Sequence, residues 1–431
     1  MIPGGETVLV TFEQWTQSRK VASLGTNSGA DVLPFQNWRH FKEAFAPELV
    51  ARAVAHSDLL VSRCLDPFGG SGTTALACQF LGIHPTTAEV NPFLADLIEA
   101  KLTTYDPDKL ARDLGTIART ARNAKAKTKR VFNPAPKSFV EPGVNGRWIF
   151  DRSVADRIAA MIAAISNLPN DGHRRLFRVL LGGVLLSVSN VVVNGKGRRY
   201  RSNWQQRLRS SQVDELFFDA ARAAISDVHR FAERKKTTFN VLRGDARKVL
   251  RKVKSCELAI FSPPYPNSFD YTDVYNVELW TLGYLTSSAS NRALRVSTIA
   301  SHVQISREFA APPPGSSALR KVLKRLEDRR SALWDKRIPE MVGAYFSDLA
   351  TILDHIHRTL ATKGAAWMVV GDSCYAGVQI PCAEILTQVA STRGWQVSEI
   401  EPFRSMRSSA QQGGQRELGE NLLVLRKPLR N

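Results

Sequence analysis

Short apolar runs alternate with amphipathic stretches along most of this chain of 431 residues. Seven short segments, several of them apolar, have the length of strands, at residues 59–65, 86–90, 237–243, 258–261, 365–370, 397–400 and 422–425. Three stretches between them carry apolar residues at helical spacing, at residues 73–81, 341–360 and 383–390. Alternating strands and helices are typical of α/β proteins with a doubly wound sheet. We therefore predict a Rossmann-like α/β fold with a seven-stranded sheet.

Two longer segments interrupt this alternation. Residues 106–236 are mostly helical by pattern and rich in Ala, Arg and Lys. Residues 286–339 contain three consecutive prolines and then a charged helix predicted over residues 319–333. We predict that both segments are mainly helical insertions. The sheet is then assembled from three separate parts of the chain, residues 31–105, 237–285 and 340–431.

Positive charge is concentrated in and around these two segments. The chain has a formal net charge of +19 and a sequence pI of about 10.0. Residues 106–240 hold 26 Lys and Arg against 12 Asp and Glu, and residues 286–339 hold 11 against 4. Such an excess indicates a polyanionic partner, nucleic acid before membrane, with a general solubility charge as the plainer alternative. Because no run of about 18 apolar residues occurs, we predict no membrane span.

The numbers and spacing of the cysteines and histidines argue against disulfide bonds and a metal site. The five cysteines are odd in number and form no CxxC pair, at positions Cys64, Cys78, Cys256, Cys374 and Cys382. This favours reduced thiols in a cytoplasmic protein over a disulfide framework or a zinc site. His355 and His357 lie two positions apart on a predicted helix, where side chains diverge, so we predict no metal.

A glycine-rich segment, Asp66-Pro-Phe-Gly-Gly-Ser-Gly-Thr-Thr74, joins the first predicted strand to a helix. Glycines let the backbone approach a nucleotide closely, but the spacing does not fit the GxGxxG pattern of NAD-binding enzymes. The Asp66 carboxylate at the strand end suits a cationic ligand, and S-adenosylmethionine carries an ammonium and a sulfonium. Glu89, ending the second strand, is placed to accept ribose hydroxyls, and Asp245, after the third, to hold the adenine amino group. The plainer alternative for Glu89 and Asp245 is a solvated loop acid.

A second segment, Ser262-Pro-Pro-Tyr265, follows the apolar run 258–261. Two prolines remove two backbone donors and stiffen the loop, which leaves carbonyl acceptors on a rigid frame. A base extruded from a nucleic acid could stack on Tyr265 and donate its amino hydrogens to the Ser262 hydroxyl and the Pro263 carbonyl. Those contacts would free the amine lone pair for attack on a methyl group. The plainer alternative is a proline-rich turn.

Further polar residues are candidates for contact with the target base or with nucleic acid. Three of them follow the proline segment and could line the same pocket or hold the loop, namely Asn267, Asp270 and Tyr271. Three more lie in a stretch that interleaves arginines with Tyr200 and Trp204, namely Arg198, Arg199 and Arg201. That stretch suits phosphate binding, or else a solvated basic face with two packed aromatics. A predicted loop near the end of the sheet holds four weaker candidates, Arg404, Arg407, Gln411 and Gln412.

With these two segments, the chain resembles the amino-methyltransferases that act on DNA bases, the cytosine-N4 and adenine-N6 group. Residues 66–74 fit the family's DPFxGSGTT segment, and residues 262–265 fit its (S/D/N)PP(Y/F/W) segment. The resemblance implies a methyltransferase sheet whose first segment binds S-adenosylmethionine, through Asp66, Pro67, Phe68, Gly70, Ser71, Gly72, Thr73 and Thr74. It also implies that the second segment holds the target amine, through Ser262, Pro263, Pro264 and Tyr265.

Three weaker matches support the resemblance and add residues to the expected cofactor site. Residues 89–92 resemble the ribose-binding segment, which implies roles for Glu89 and Asn91. Residues 244–246 resemble the adenine-proximal segment, with Asp245 and Ala246. Residues 37–47 resemble the segment that packs around the methionine moiety, with Phe45 and Pro47. The serine form of the second segment is more often associated with cytosine N4, so we expect N4-methylcytosine in double-stranded DNA, and adenine N6 stays open.

The long basic segment between the second and third strands departs from simple family members. The position of the target-recognition region therefore cannot be transferred from the family to this chain. An RNA base methyltransferase would use the same pocket, and a non-catalytic nucleic-acid-binding protein could retain the cofactor fold, although no motif is damaged here. The resemblance also leaves open a partner restriction endonuclease, and the oligomeric state cannot be read from the sequence.

Overall fold

The computed structural model describes residues 11–41, 43–124, 128–194, 197–204, 206–234, 237–407 and 417–429. Within them the strands are β1 (Arg63–Asp66), β2 (His84–Glu89), β3 (Val191–Asn194), β4 (Gly197–Tyr200), β5 (Asn240–Arg243), β6 (Cys256–Phe261), β7 (Leu360–Gly371), β8 (Ser373–Tyr375), β9 (Val378–Ile380), β10 (Gln396–Arg407) and β11 (Glu417–Arg426). The helices are α1 (Phe12–Thr16), α2 (Glu48–Ala55), α3 (Thr73–Leu81), α4 (Pro92–Leu102), α5 (Pro107–Asn123), α6 (Thr128–Phe132), α7 (Arg152–Ser166), α8 (Asp171–Val184), α9 (Ser211–Arg230), α10 (Ala246–Val249), α11 (Asn276–Thr281), α12 (Ser288–Val296), α13 (Ser317–Asp328), α14 (Ile338–Thr359) and α15 (Cys382–Ser391).

Seven of these strands form one sheet, in the order β10-β11-β7-β6-β1-β2-β5. Within this order, the neighbouring strands β7, β6, β1, β2 and β5 all pair in parallel. The pairs β7–β11 and β11–β10 are antiparallel. The order changes direction around β1, which places the loops after β1 and β6 side by side. Ligands bind α/β sheets outside the carboxyl ends of the strands at such a point. The predicted Rossmann-like α/β fold with a seven-stranded sheet is confirmed.

Helices cover both faces of the sheet, and this explains the continuous apolar runs. Along β6, Leu258 and Ile260 belong to a buried cluster that includes residues of α3 and α4. Ala259 and Phe261 belong to a second cluster with residues of α14 and α15. Successive side chains of a strand point to opposite faces, so a strand buried on both faces is apolar at every position. Such runs carry no alternation from which the two faces could be told apart.

The last two strands of the sheet are longer than predicted. We predicted strands over 397–400 and 422–425, but β10 and β11 extend their antiparallel pairing to Arg407 and Glu417. Arg404, predicted to lie in a loop, is therefore a strand residue. Backbone pairing with a neighbour can hold polar residues in a strand, which the apolar pattern alone does not reveal. Gln411 and Gln412 lie outside the described residues.

The segment 106–236 contributes helices α5 to α9 and no strand of the main sheet among its described residues. Helix α5 packs against α7 and α9. The segment also forms a hairpin, β3–β4, which we did not predict. Three consecutive valines followed by Asn-Gly are a hairpin signal that the arginine-rich surroundings masked. Trp204 packs edge-on against Trp148, with ring centroids 5.6 Å apart.

The segment 286–339 contains α12 and α13. The helix predicted over residues 319–333 spans Ser317–Asp328, because Ser316 caps its start by accepting a hydrogen bond from the Leu319 N–H at 3.0 Å. Helix α13 packs against α14 and α15, on one face of the sheet. In the part of the chain that the structure describes, no helix has the length and apolarity that crossing a bilayer requires.

Candidate functional site

A cavity of about 290 Å³ lies at the carboxyl edge of the sheet, and both sequence segments line it. Asp66 ends β1, Glu89 ends β2, Asp245 follows β5 and Ser262 follows β6. These strands are parallel, so their carboxyl ends meet at one edge and bring together residues that are nearly 200 positions apart. Most of the predicted cofactor residues line the cavity, namely Phe45, Asp66, Pro67, Phe68, Gly70, Ser71, Thr73, Thr74, Glu89, Asn91, Asp245 and Ala246. Pro47 and Gly72 lie outside its lining.

The loop after β1 needs its glycines. Gly70 has a φ of +51° and Gly72 a φ of +82°, values that other residues rarely adopt. A Cβ atom at Gly70 would also lie 3.1 Å from the Phe41 ring, which lines the cavity from the N-terminal segment. The tight backbone at Gly72 ends the loop directly before α3. The glycines thus let the loop take a tight path along the cavity.

Two buried carboxylates hold this loop in place. The Gly70 N–H donates to Glu89 Oε2 at 2.7 Å, and the Asn91 N–H donates to Glu89 Oε1 at 2.8 Å. The Phe68 N–H donates to Asp66 Oδ1 at 2.9 Å. Burial raises the pKa of Glu89 to about 7 and the pKa of Asp66 to about 6, against the effect of these hydrogen bonds. Both acids therefore favour a ligand that restores charge balance or donates hydrogen bonds.

A buried lysine beneath the loop was missed in the sequence analysis. Lys101, on α4, donates from Nζ to the Ser71 carbonyl at 2.7 Å and to Gln36 Oε1 at 2.8 Å. Gln36 in turn donates to Thr73 Oγ1 at 3.2 Å. Burial lowers the pKa of Lys101 to about 7. A single lysine in an amphipathic helix gives no sequence signal of such a role, because only packing places it under the loop.

Asp245 is paired within the protein. Its carboxylate accepts hydrogen bonds from the Arg247 guanidinium at 2.9 and 2.8 Å, and Arg247 also contacts Asp348 at 2.8 Å. The sequence suggested either the carboxylate or the backbone of Asp245 as the adenine contact. The carboxylate is thus already engaged by Arg247, and a contact of Asp245 with adenine stays a prediction.

The proline segment forms the opposite wall of the cavity, and all four of its residues line it. Ser262 Oγ donates to the Val369 carbonyl of β7 at 3.0 Å. This bond uses the hydroxyl hydrogen, so the oxygen lone pairs of Ser262 remain to accept. The ring of Tyr265 is held at its far end, because its hydroxyl donates to Glu420 Oε1 at 2.9 Å. Burial, followed by the charge of Glu420, raises the pKa of Tyr265 well above its usual value.

Glu420 and Arg404 line the cavity beside Tyr265. Arg404 Nε donates to Glu420 Oε2 at 2.7 Å, and Arg404 Nη2 donates to Glu420 Oε1 at 3.1 Å. In the sheet Glu420 pairs with Gly371, the last residue of β7, and with Arg404 of β10. Antiparallel pairing of β11 thus brings a late acidic residue to the carboxyl edge. Sequence analysis missed Glu420 because it precedes an apolar run instead of following one.

Part of the cavity wall comes from the segment 286–339. Its lining residues are Ser297, Thr298, Ile299, Ser301 and His302. His302 is almost fully buried, and Arg307 Nη2 lies 3.1 Å from its Nε2. Burial lowers the pKa of His302 to about 4, so the ring is neutral at ordinary pH. No motif marks these residues, which reach the site only through the tertiary fold.

The predicted base-contact residues divide into two groups. Tyr271 lines the cavity, whereas Asn267 and Asp270 are not among its lining residues. Asp270 instead accepts hydrogen bonds from the Thr272 N–H at 3.0 Å and from Arg295 Nε at 2.5 Å. It therefore ties the proline segment to α12. A direct contact of Asn267 or Asp270 with a base stays a prediction.

The predicted phosphate-binding arginines lie on and just after β4 and are not among the residues that line the cavity. Arg199 is exposed, whereas the Arg198 guanidinium lies 6.0 Å from the centre of the Phe139 ring. Arg201 Nη2 donates to the Leu186 carbonyl at 2.8 Å. Arg201 also lines a separate polar cavity of about 320 Å³ that includes Arg207 and Arg209. Contact of these arginines with nucleic acid stays a prediction.

The described residues contain no group of three or more His, Cys, Asp or Glu side chains that could hold a metal ion. The five cysteines are buried and unpaired.

No model of a known protein family matches the chain. The chain is 24% identical over 457 residues to the type II methyltransferase M.AvaI of Nostoc sp. (strain PCC 7120), covering 95% of this chain and 89% of that protein. It is 23% identical over 479 residues to the type II methyltransferase M.BsoBI of Geobacillus stearothermophilus, covering 97% and 90%.

Among solved structures, the rRNA methyltransferase aviRa of Streptomyces viridochromogenes matches 89% of this chain and 86% of its own. The sequence identity is 11% and the TM-score is 0.31, a superposition too poor to relate the two structures in detail.

Proposed function

We propose that this chain, which is similar over most of its length to type II methyltransferases, transfers a methyl group from S-adenosylmethionine to the exocyclic amine of a DNA base, with cytosine N4 as the favoured position. The observation that carries this proposal is the shared cavity. It joins the glycine loop after β1 to the hydroxyl and carbonyl acceptors of residues 262–265. A cofactor site and an amine site that share one cavity allow direct transfer between their ligands.

The lining of the cavity fits S-adenosylmethionine. Five carboxylates line it, from Glu43, Asp66, Glu89, Asp245 and Glu420. When bound, S-adenosylmethionine supplies an electrophilic methyl group on a positively charged sulfur. Glu89 would hold the ribose hydroxyls with the lone pairs left by its two backbone bonds, and Asp66 would favour the positive charge of the ligand. The glycine loop would let the ligand lie close to the backbone.

The second half of the site would orient the base. The Ser262 hydroxyl, with its hydrogen directed at Val369, and the Pro263 carbonyl would accept the two amine hydrogens. Both acceptors would draw the amine out of conjugation with the ring, so that its lone pair points at the methyl group. The Tyr265 ring would stack on the base, which must leave the duplex to reach the cavity. Direct attack by the amine needs no covalent bond between enzyme and base.

A further part of the proposal is the identity of the methylated base. The serine form of the proline segment favours cytosine N4, and adenine N6 is the alternative that would use the same acceptors. Double-stranded DNA is the proposed substrate, with the basic segments 106–240 and 286–339 as its binding surface. We also propose that the enzyme acts in the cytoplasm and marks DNA against a partner restriction endonuclease.

Analysis of nucleosides tests this function. The protein is incubated with S-adenosylmethionine and unmethylated DNA or RNA, and the digested nucleosides are identified by mass spectrometry. We expect N4-methylcytosine in DNA. N6-methyladenine would keep the mechanism and change the base, and product in RNA alone would overturn the DNA substrate. An absence of product with a broad set of DNA sequences would contradict the proposal.

Cofactor affinity is expected to fall as the pH is lowered. The pKa of Glu89 is about 7 and that of Asp66 about 6, both raised mainly by burial. A cationic ligand with hydroxyl donors favours the ionised carboxylates, so binding lowers both pKa values and releases protons. The affinity is then full above the higher pKa and is lost as each carboxylate becomes protonated. Calorimetry should show a Kd that weakens at least about tenfold between about pH 8 and pH 5.5; a constant Kd would contradict ionised carboxylates at this site.

A further inference from the structure

One positive side chain differs from the rest of the cavity lining. Arg404 is the single Lys or Arg among the described residues that line the cavity, where it faces five carboxylates. The carboxylates suit the ammonium and the sulfonium of the cofactor, whereas an arginine suits an oxyanion such as a carboxylate or a phosphate. Arg404 therefore points to an anionic group bound at this cavity.

The Arg404 guanidinium is held in place but not buried. Its side chain is 42% exposed, whereas its partner Glu420 is 2% exposed. Two hydrogen bonds, from Nε and Nη2, fix the plane of the guanidinium against the Glu420 carboxylate. A guanidinium that is fixed on one side and open to solvent on the other loses little further entropy when it binds an anion.

Glu420 links this arginine to the proline segment. Its Oε1 accepts two hydrogen bonds, one from the Tyr265 hydroxyl at 2.9 Å and one from Arg404 Nη2 at 3.1 Å. The buried Glu420 carboxylate needs its hydrogen-bond donors, because a buried charge without a partner destabilises the protein. Movement of Arg404 therefore acts on the Tyr265 ring through one shared oxygen.

We propose that Arg404 binds a backbone phosphate of the target nucleotide, and that Glu420 aligns it with the Tyr265 ring. The inference rests on the proposed function and names the DNA contact at the mouth of the cavity. A base that enters the cavity stays joined to its sugar and phosphates, which remain at the mouth in continuity with the duplex. The exposed side of Arg404 meets them there. Docking of the phosphate then positions the surface on which the base stacks.

A purely structural role for Arg404 makes a different prediction. If Arg404 only neutralised Glu420, its loss would lower the stability of the protein and would leave the salt dependence of DNA binding unchanged. A phosphate contact instead adds about one released counterion to the binding equilibrium. The salt dependence therefore separates the two roles.

The test compares Arg404→Gln with the wild type on a duplex that the wild type methylates. Binding is measured by fluorescence anisotropy at several salt concentrations, with S-adenosylhomocysteine present to prevent turnover. We expect Arg404→Gln to weaken the Kd about tenfold and to reduce the slope of log K against log salt by about 1. Arg404→Lys should keep most of the slope, because it keeps the charge.

Arg63→Gln is the matched control. Arg63 is 47% exposed and pairs with Glu257 at 2.9 Å, as Arg404 pairs with Glu420, but it lies at the start of β1, on the opposite edge of the sheet. We expect its Kd and salt slope to equal those of the wild type. An unchanged slope in Arg404→Gln, or an equal change in Arg63→Gln, would overturn the phosphate contact.

A double-mutant cycle tests the link through Glu420. Glu420→Gln and Tyr265→Phe should each lower kcat about tenfold, with Glu417→Gln of the same strand as the control. The double variant should be no slower than the slower single variant, because both changes break one interaction. Additive losses would overturn the alignment role.

The two failures are distinguishable. If the wild type methylates no DNA, the proposed function falls and the inference with it. If the wild type methylates DNA but the salt slope of Arg404→Gln is unchanged, the inference alone falls.

Discussion

Ser262→Ala is expected to lower kcat about 100-fold and to leave the affinity for S-adenosylmethionine unchanged. The Ser262 hydroxyl donates to Val369, so its oxygen is held as an acceptor for the amine of the base. Alanine removes that acceptor and leaves the Pro263 carbonyl alone. The amine then keeps more of its conjugation with the ring, which raises the barrier to attack. Steady-state kinetics on an unmethylated duplex that the wild type methylates measure kcat, and calorimetry measures the cofactor affinity.

Ser62→Ala is the control for this experiment. The Ser62 hydroxyl donates to Glu257 Oε2 at 2.9 Å at the opposite edge of the sheet, so its loss removes one hydrogen bond without touching the cavity. We expect near wild-type kcat for Ser62→Ala. Equal kcat values for Ser262→Ala and the wild type would show that Ser262 is not an acceptor for the amine of the base. A joint loss of kcat and cofactor affinity would indicate a change in folding.

Glu89→Gln is expected to weaken S-adenosylmethionine binding about 100-fold, or about 2.7 kcal/mol. The carboxylate accepts two backbone N–H groups, from Gly70 and Asn91, one on each oxygen. Glutamine has one acceptor and one donor in these positions, so its NH₂ group must face a backbone N–H. The Gly70 loop then shifts away from the ligand, and the acceptor for the ribose hydroxyls is lost as well. Calorimetry at about pH 8 measures the loss with both carboxylates ionised.

Glu257→Gln is a close control for Glu89→Gln. Glu257 Oε2 also accepts two backbone N–H groups, from Ser62 at 3.0 Å and Arg63 at 2.7 Å, but at the amino ends of the strands. We expect this variant to lose stability and to keep its cofactor affinity. If both variants bind the cofactor equally well, Glu89 does not hold the ribose. If both variants lose affinity equally, the loss results from destabilisation of the sheet and not from a lost contact with the cofactor.

The parts of the site that could be predicted from sequence depend on local chemistry. The loop over residues 66–74 needs glycines at particular φ values, and the proline segment needs its prolines and its aromatic ring in consecutive positions. Glu89 and Asp245 were found because each lies at or just after the end of a predicted strand. The rule that parallel strands end at one edge was enough to place all of these residues together.

The rest of the site depends on packing between distant elements. Lys101 reaches Ser71 because α4 lies beside the loop, and residues 297–302 reach the cavity because the second insertion folds back over it. Asp270 was assigned to the base pocket from its position, but the structure directs its carboxylate to Thr272 and Arg295. Sequence spacing gives no measure of which partner a charged side chain will find.

By itself, the sequence determined the class of fold, the seven strands and the two segments that meet at the cavity, because each of these follows from short-range periodicity and backbone chemistry. Only the tertiary structure decided that Glu420 holds Tyr265 and Arg404, that part of the arginine-rich stretch forms a hairpin, and that Ser262 is oriented as an acceptor. The physical reason is the same in all three cases. Hydrogen-bond partners across a sheet are set by strand register and strand order, which place residues in contact regardless of their separation along the chain.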